Sequence, residues 1–197
     1  MALYPTLSDV GYLQISQEMD QKILTSNFDD LGKTQVKRKW LYPKRNIMLD
    51  YSNILNAALR TIEQFYIDRY GGYSIFTFIM PPDETNDYDG EYIGTLDAST
   101  IAFNMPCKAA SGIKIYIDGN LQTVTANYAI TVSGGQDGVD LCTLTDAGTA
   151  GSRLTCDFTG ALAVRCRFKD KINWSRTKAA TGYNSFKIEL VGSLMDE

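Results

Sequence analysis

The one stretch with helical periodicity, residues 52–70, constrains the fold most. Apolar side chains recur there at the spacing of a single helix face: Ile54, Leu55, Ala58, Leu59, Ile62, Phe65 and Tyr66. We expect Ser52 to cap the N-terminus of this amphipathic helix and Gly71-Gly72 to supply its left-handed stop. Ile67 lies outside the apolar arc, so it is either a solvent-facing side chain or a subunit contact.

Nearly all other segments predict β-strands, because they are short runs rich in Val, Ile, Thr, Tyr and Phe between turn residues. The expected strands are residues 22–28, 36–42, 46–51, 73–80, 100–105, 113–117, 127–132, 139–144, 153–158, 161–168 and 183–191. The sharpest hairpin signal is the alternation of Ile113, Ile115 and Ile117 before an Asp118-Gly119 turn. The expected fold class is therefore mainly β (α+β) with one helix.

The composition changes twice along the chain, and this predicts the domain organisation. Residues 93–151 are rich in Gly, Thr, Ala and Ser, whereas heavier charged and aromatic residues stand on both sides. We therefore expect a discontinuous core domain, residues 1–92 plus 153–197, with a β-sandwich or barrel-like architecture that includes the helix. Residues 93–152 would form a small inserted β-domain.

The chain has no His, and this restricts the chemistry available to it. His is the commonest general base and metal ligand, and it completes the Ser-His and Cys-His nucleophile arrangements. We therefore expect no enzyme, no catalytic residue, no metal and no cofactor; a hydrolase that uses two carboxylates on a glycan is the enzyme alternative. The net charge of −4 argues against a whole-chain role in binding DNA.

Two further features bear on the cellular location. The first ten residues have no basic segment followed by an apolar run, and no stretch approaches the roughly 18 apolar residues of a membrane span, so we expect synthesis in the cytoplasm and no membrane partner. The four cysteines, Cys107, Cys142, Cys156 and Cys166, form no CxxC pair. We expect free, mostly buried thiols, with disulfides or a zinc site as the alternative.

The acidic run at residues 83–91 raises the possibility of calcium binding, because closely spaced carboxylates and a Gly turn suit a hard cation. An EF-hand register would place Thr85 and Leu96 where the first and last carboxylates belong, so the run fails that template. We expect a solvated loop, with a metal site as the alternative.

The run at residues 36–45 is the one local concentration of positive charge. Its cations are Lys37, Arg38, Lys39, Lys44 and Arg45, and Trp40 and Tyr42 are interleaved with them. A single basic and aromatic strand over residues 36–42 is most often a sheet surface or a protein interface. A nucleic-acid groove that stacks bases on aromatic rings is the alternative.

Four segments in order resemble the phage distal tail protein family, which includes the distal tail protein of gene transfer agents. Residues 53–66 with 71–78 (GGYSIFTF) resemble the family's helix that leads through a Gly to a "YGFRF" strand. Residues 93–103 (IGTLDASTIAF) resemble its "GTGDGSTTTF" segment, and residues 115–119 (IYIDG) resemble its "VYVDG" hairpin. Residues 163–168 (AVRCRF) resemble its "VPVRF" strand, but residues 79–83 stand where the family has "KDWSDY".

This resemblance implies a structural protein of the virion, located at the tail tip. It implies a homo-hexameric ring that joins the tail tube to the tip or baseplate hub and leaves a channel. The implied partners are other copies of the chain, the tail tube protein, the hub proteins and the tape measure protein, with DNA only in transit. The basic residues 37–39, 44 and 45 become candidates for the ring interface or the channel wall. A carbohydrate-binding or receptor-binding β-module of the tail tip is the alternative.

Overall fold

The computed structural model describes residues 2–7, 12–20, 23–28, 33–38, 44–80, 86–169, 172–178 and 183–192. In chain order, its elements are β1 (Ala2–Leu3), β2 (Tyr12–Asp20), β3 (Ile23–Phe28), β4 (Lys33–Arg38), β5 (Lys44–Leu55), α1 (Asn56–Asp68), β6 (Phe76–Ile79), β7 (Asp87–Thr95), β8 (Ala102–Asn104), β9 (Cys107–Ile117), β10 (Asn120–Leu121), β11 (Tyr128–Thr131), a short 3₁₀ turn (Gln136–Gly138), β12 (Leu141–Leu144), β13 (Arg153–Phe168), β14 (Asn173–Lys178) and β15 (Tyr183–Gly192). The prediction of a mainly β fold with one helix is confirmed. No helix in these ranges is long and apolar enough to cross a bilayer.

The chain divides into two compact units. The first comprises Met1–Tyr4 and Phe76–Arg165, and the second comprises Pro5–Ile75 and Cys166–Glu197. The composition change had suggested boundaries at 92/93 and 152/153, and that domain assignment stays a prediction. The units divide at other residues because β7 and the first part of β13 pair with each other across both of those positions.

In the second unit, β5 lies between β15 and β2, and β15 also pairs with β14 and with the last three residues of β13. Alternate residues of β5 are buried, so one face of this sheet carries Ile47, Leu49 and Tyr51. The Tyr51 ring stacks on Phe186 of β15 at 4.5 Å between centroids. This apolar face forms the core of the unit.

Helix α1 contacts β5 and β15 through its buried residues Ala58, Leu59 and Ile62. Its Phe65 and Tyr66 rings meet Phe168 of β13 edge to face, at 6.0 and 5.1 Å between centroids. The apolar face of α1 therefore packs on β5, β15 and the last residues of β13.

The predicted start of the helix at Ser52 is wrong, because residues 52–55 still belong to β5. Pairing with β15 continues as far as Leu55, after a register shift near which Asn53 adopts a φ of 58°. Leu55 then stands at the N-cap position, where no side chain caps the helix. At the other end, the left-handed stop begins one residue before Gly71, at Tyr70, which has a φ of 53°.

In the first unit, β13 runs between β7 and β9, and it also pairs with β6, on which β1 lies parallel. A second sheet has the order β11-β12-β8. The predicted hairpin is confirmed, because β9 and β10 pair around Asp118 and Gly119, whose φ values of 50° and 80° suit a tight turn between antiparallel strands. The buried apolar side chains include Ile93, Leu96, Met105, Ile115, Leu144, Leu154, Phe158 and Leu162.

Candidate assembly surfaces

The described residues of the basic run at residues 36–45 are divided between two strands of the structure. Lys37 and Arg38 end β4, which spans Lys33–Arg38 instead of residues 36–42. Lys44 and Arg45 begin β5, and Lys39 lies outside the described residues. Residues 36–38 of the expected strand therefore lie in β4, residues 39–42 lie outside the described residues, and the described cations of the run are on two strands.

The two cations of β5 have different environments. Arg45 is only 6% exposed, and it shares the inward face of the sheet with Ile47 and Leu49. Lys44 is half-buried and lies opposite Asp20 of β2. Whether the five cations contact a neighbouring copy or line a channel stays a prediction, and Lys37 and Arg38 are the two that stand on a separate element.

That element is the hairpin of β3 and β4, which we call the basic hairpin after its residues Lys33, Lys37 and Arg38. Its six residue pairs run without a register shift from Ile23 opposite Arg38 to Phe28 opposite Lys33. Among the described strands, β3 and β4 pair only with each other. Because an isolated two-stranded hairpin is at best marginally stable in water, this hairpin is suited to contact a further surface.

Strand β2 forms one side of the sheet of the second unit. All nine of its residues pair with β5 in an unbroken register, from Tyr12 opposite Ser52 to Asp20 opposite Lys44. No other described strand pairs with β2, so its second side is open within the described part of the chain. The strand has no Lys, Pro or bulge, the devices that usually protect an edge from pairing with another chain.

The outward face of the same sheet carries charges of both signs. Lys187 of β15 forms a 2.8 Å ion pair with Asp50 of β5, and Lys169 forms one of 2.8 Å with Glu189 of β15. Pairs this exposed contribute little to stability. Each pair instead lowers the local net charge, because each of these cations has a carboxylate at close range.

The acidic run predicted as a solvated loop is in part a strand. Asp87, Asp89 and Glu91 belong to β7, which pairs with β13, so a loop over residues 87–91 is wrong. Residues 81–85, which include Asp83 and Glu84, lie outside the described residues. The strand forms in spite of its acidic composition because β13 supplies hydrogen-bond partners along its whole length.

We call Asp87, Asp89 and Glu91 the acidic edge. They lie on β7, which pairs with β13 alone among the described strands, so the other side of β7 is an edge of the sheet. A carboxylate of the neighbouring strand adds to the charge, since Asp157 accepts hydrogen bonds from the Gly90 N–H at 2.8 Å and the Tyr116 hydroxyl at 2.7 Å. The hydrogen bond to Asp157 raises the pKa of Tyr116, and burial and the charges of Asp157 and Asp89 raise it further.

The described residues contain no group of three or more acidic, Cys or His side chains arranged to hold a metal ion. At the acidic edge, the carboxylate of Asp87 is instead hydrogen-bonded within the protein. The Thr159 hydroxyl donates to Asp87 at 2.6 Å, and Asp157 is engaged as described above. This surface can therefore present negative charge to a partner along an exposed sheet edge.

A polar group that the sequence did not single out lies in the core of the first unit. Asp140 is fully buried, and its Oδ1 accepts the N–H groups of Ala109 at 3.0 Å and Ser133 at 2.8 Å. Its Oδ2 accepts the N–H of Ala110 at 3.0 Å. Asp140 therefore ties the start of β9, where Ala109 has a φ of 48°, to the segment before β12.

All four cysteines are buried and none of them forms a disulfide, as predicted. Burial raises the pKa of Cys142 to about 11. Burial, followed by the charge of Asp140, raises the pKa of Cys107 still further. Because the thiolate is the reactive form, these groups are protected twice, by limited access and by protonation.

We therefore expect denatured, unreduced protein to release four thiol equivalents to an aromatic disulfide reagent. The folded protein at pH 8 should react far more slowly, because all four thiols are buried and burial raises the pKa of Cys142 to about 11. A count of two or zero after denaturation would show disulfides and contradict the expectation. Rapid reaction of the folded protein would show that the thiols are accessible.

Compared with known proteins, the chain matches no protein-family model and no curated protein. The resemblance to distal tail proteins therefore rests on the motifs given above and on their order along the chain.

Proposed function

We propose that this chain is a structural subunit of a phage-type tail, a distal tail protein. Copies of it would form a ring, expected to be six-fold, between the tail tube and the tip or baseplate hub. The observation that carries the proposal is the open side of β2, a regular nine-residue strand next to which no described strand lies. The ordered motifs shared with the distal tail family support the same reading.

An open strand side on one copy must be met by a different surface on the next copy if the contacts are to close into a ring. The strand sequence YLQISQEMD suits such a contact, because it has only two charges and no residue that interrupts a ladder. The basic hairpin is a second surface that a partner would stabilise. Two distinct surfaces of this kind favour a closed assembly over an isolated protomer.

The outward face of β5 and β15 is our candidate for the channel wall. DNA is retained by proteins that set many uncompensated cations against its phosphates. Here the cations Lys187 and Lys169 are paired with carboxylates at 2.8 Å, so the positive charge of these two described residues is compensated. Such a wall would let DNA pass with little retention, which is what a conduit for a genome requires.

The location of the protein tests this function. Gold-labelled antibody against the chain should mark one end of the tail in particles purified from its source, and the protein should appear in their mass spectrum. Pre-immune antibody provides the control. Labelling along the whole tail would indicate a tube protein, and absence of the chain from the particles would overturn the proposal.

A further inference from the structure

The basic hairpin and the acidic edge are two sheet elements whose sequences carry opposite charge. The hairpin places Lys33, Lys37 and Arg38 within the six residues of β4, with no acidic residue in either of its strands. The acidic edge places three carboxylates within five residues of β7. In a contact between copies, opposite charges on two strands would select the partner strand and fix its register.

The two elements also have unused backbone pairing capacity. Among the described strands, β4 pairs only with β3, and β7 pairs only with β13. The first part of β7 is accessible, since Asp87, Asp89 and Gly90 are exposed. An extended segment can therefore approach β7 from the side opposite β13 and add to the sheet.

Charge decides which strand can occupy that side. A second β7 would set its carboxylates against those already there, and like charges opposite each other destabilise a strand pair. Strand β2 carries Glu18 and Asp20 and no cation, so it is equally unsuitable. Strand β4 has the opposite charge, and its hairpin pairs with no other described strand.

We propose that the basic hairpin of one copy pairs along the acidic edge of the neighbouring copy, with β4 as the added strand. This contact rests on the proposed ring, since it needs a second copy of the chain. It is heterologous, because each copy gives a hairpin to one neighbour and an edge to the other. The raised pKa of Tyr116, to which Asp157 and Asp89 contribute, marks the negative potential at this surface.

A charge-swap experiment tests the contact. Lys37→Glu and Asp89→Lys are made singly and together, and sedimentation velocity measures the protein concentration at which half the chains are assembled. Each single change sets like charges against each other and should raise that concentration about tenfold or more. The double change restores opposite charges, so it should return the value to within about threefold of the original.

Matched controls use the surface of α1, where Arg60 is exposed and Glu63 is partly exposed. Arg60→Glu and Glu63→Lys make the same charge changes on a different element, and we expect both to leave assembly unchanged. Salt gives a second readout, because screening shortens the range of charge interactions from about 10 Å at 0.1 M to about 3 Å at 1 M. Added salt should weaken assembly of the original chain and strengthen assembly of each single variant.

The outcomes separate this contact from the proposed function. Rings that form normally in both single variants, or a double variant no better than the singles, would overturn the hairpin contact and leave the ring intact. Loss of single-stranded DNA binding by Lys37→Glu, with assembly unchanged, would also overturn it in favour of a nucleic-acid surface. If Lys37→Glu fails to fold, Arg38→Glu with the same partner change replaces it. An original chain that never assembles would refute the proposed function itself.

Discussion

Replacing Asp140 with Ala is expected to destabilise the protein by about 3 kcal/mol or more, because three backbone N–H groups lose their acceptor at once. The carboxylate is fully buried, so the wild-type hydrogen bonds form away from water and are strengthened by its charge. Urea unfolding followed by circular dichroism measures the loss. Without this acceptor, the left-handed turn at Ala109 would lose the hydrogen bonds that Asp140 accepts from the N–H groups of Ala109 and Ala110.

Asp140→Asn provides the matched control. The amide oxygen can still accept from Ala109 and Ser133, whereas the amide nitrogen faces the N–H of Ala110, so about half of the loss should appear. If Asp140→Ala costs less than about 1 kcal/mol, water must replace the carboxylate, and the account of this cluster is wrong.

Replacing Ile62 with Ala should destabilise the second unit by about 2 to 5 kcal/mol, the range for truncating a buried aliphatic side chain. Ile62 is 0% exposed and lies on the face of α1 that packs against β5 and β15. The cost includes the burial energy of the lost methyl groups and the cavity they leave. Chemical unfolding of the purified variant measures it.

Ile67→Ala on the same helix is the control, because Ile67 is 63% exposed. It should change the free energy of unfolding by less than about 0.5 kcal/mol. Its exposure agrees with its position outside the apolar arc of the sequence. A loss at Ile62 as small as the loss at Ile67 would mean that α1 does not belong to the core.

Local patterns were enough to predict the helix, the hairpin at Asp118-Gly119 and the burial of the thiols. Each of these depends on neighbouring residues: apolar periodicity for α1, alternation and an Asp-Gly turn for β9 and β10, and the spacing of the cysteines. The helix start was misplaced because Ser52 has a good capping side chain. Its backbone nevertheless belongs to β5, because it pairs with Tyr12 of β2, and Ile54 and Leu55 after it pair with β15, more than 100 positions away.

Elements stabilised by distant partners were missed. Strand β2 has polar residues at most positions, and β7 combines Asp and Gly, which are depleted in strands, so neither has a strong local signal. They form because β5 and β13 pair with them along their length. Asp140 was missed for the same reason, because its N–H donors lie 7 to 31 residues away in the chain.

The most direct test of the account is the assembly state of the purified protein. Negative-stain electron microscopy together with native mass spectrometry should show closed rings, with a mass of six chains and an open centre. The open side of β2 and the basic hairpin lead to the expectation of assembly, and the resemblance to distal tail proteins implies the number six. A protein that stays monomeric at its highest soluble concentration, with no rings on the grid, would contradict the central claim.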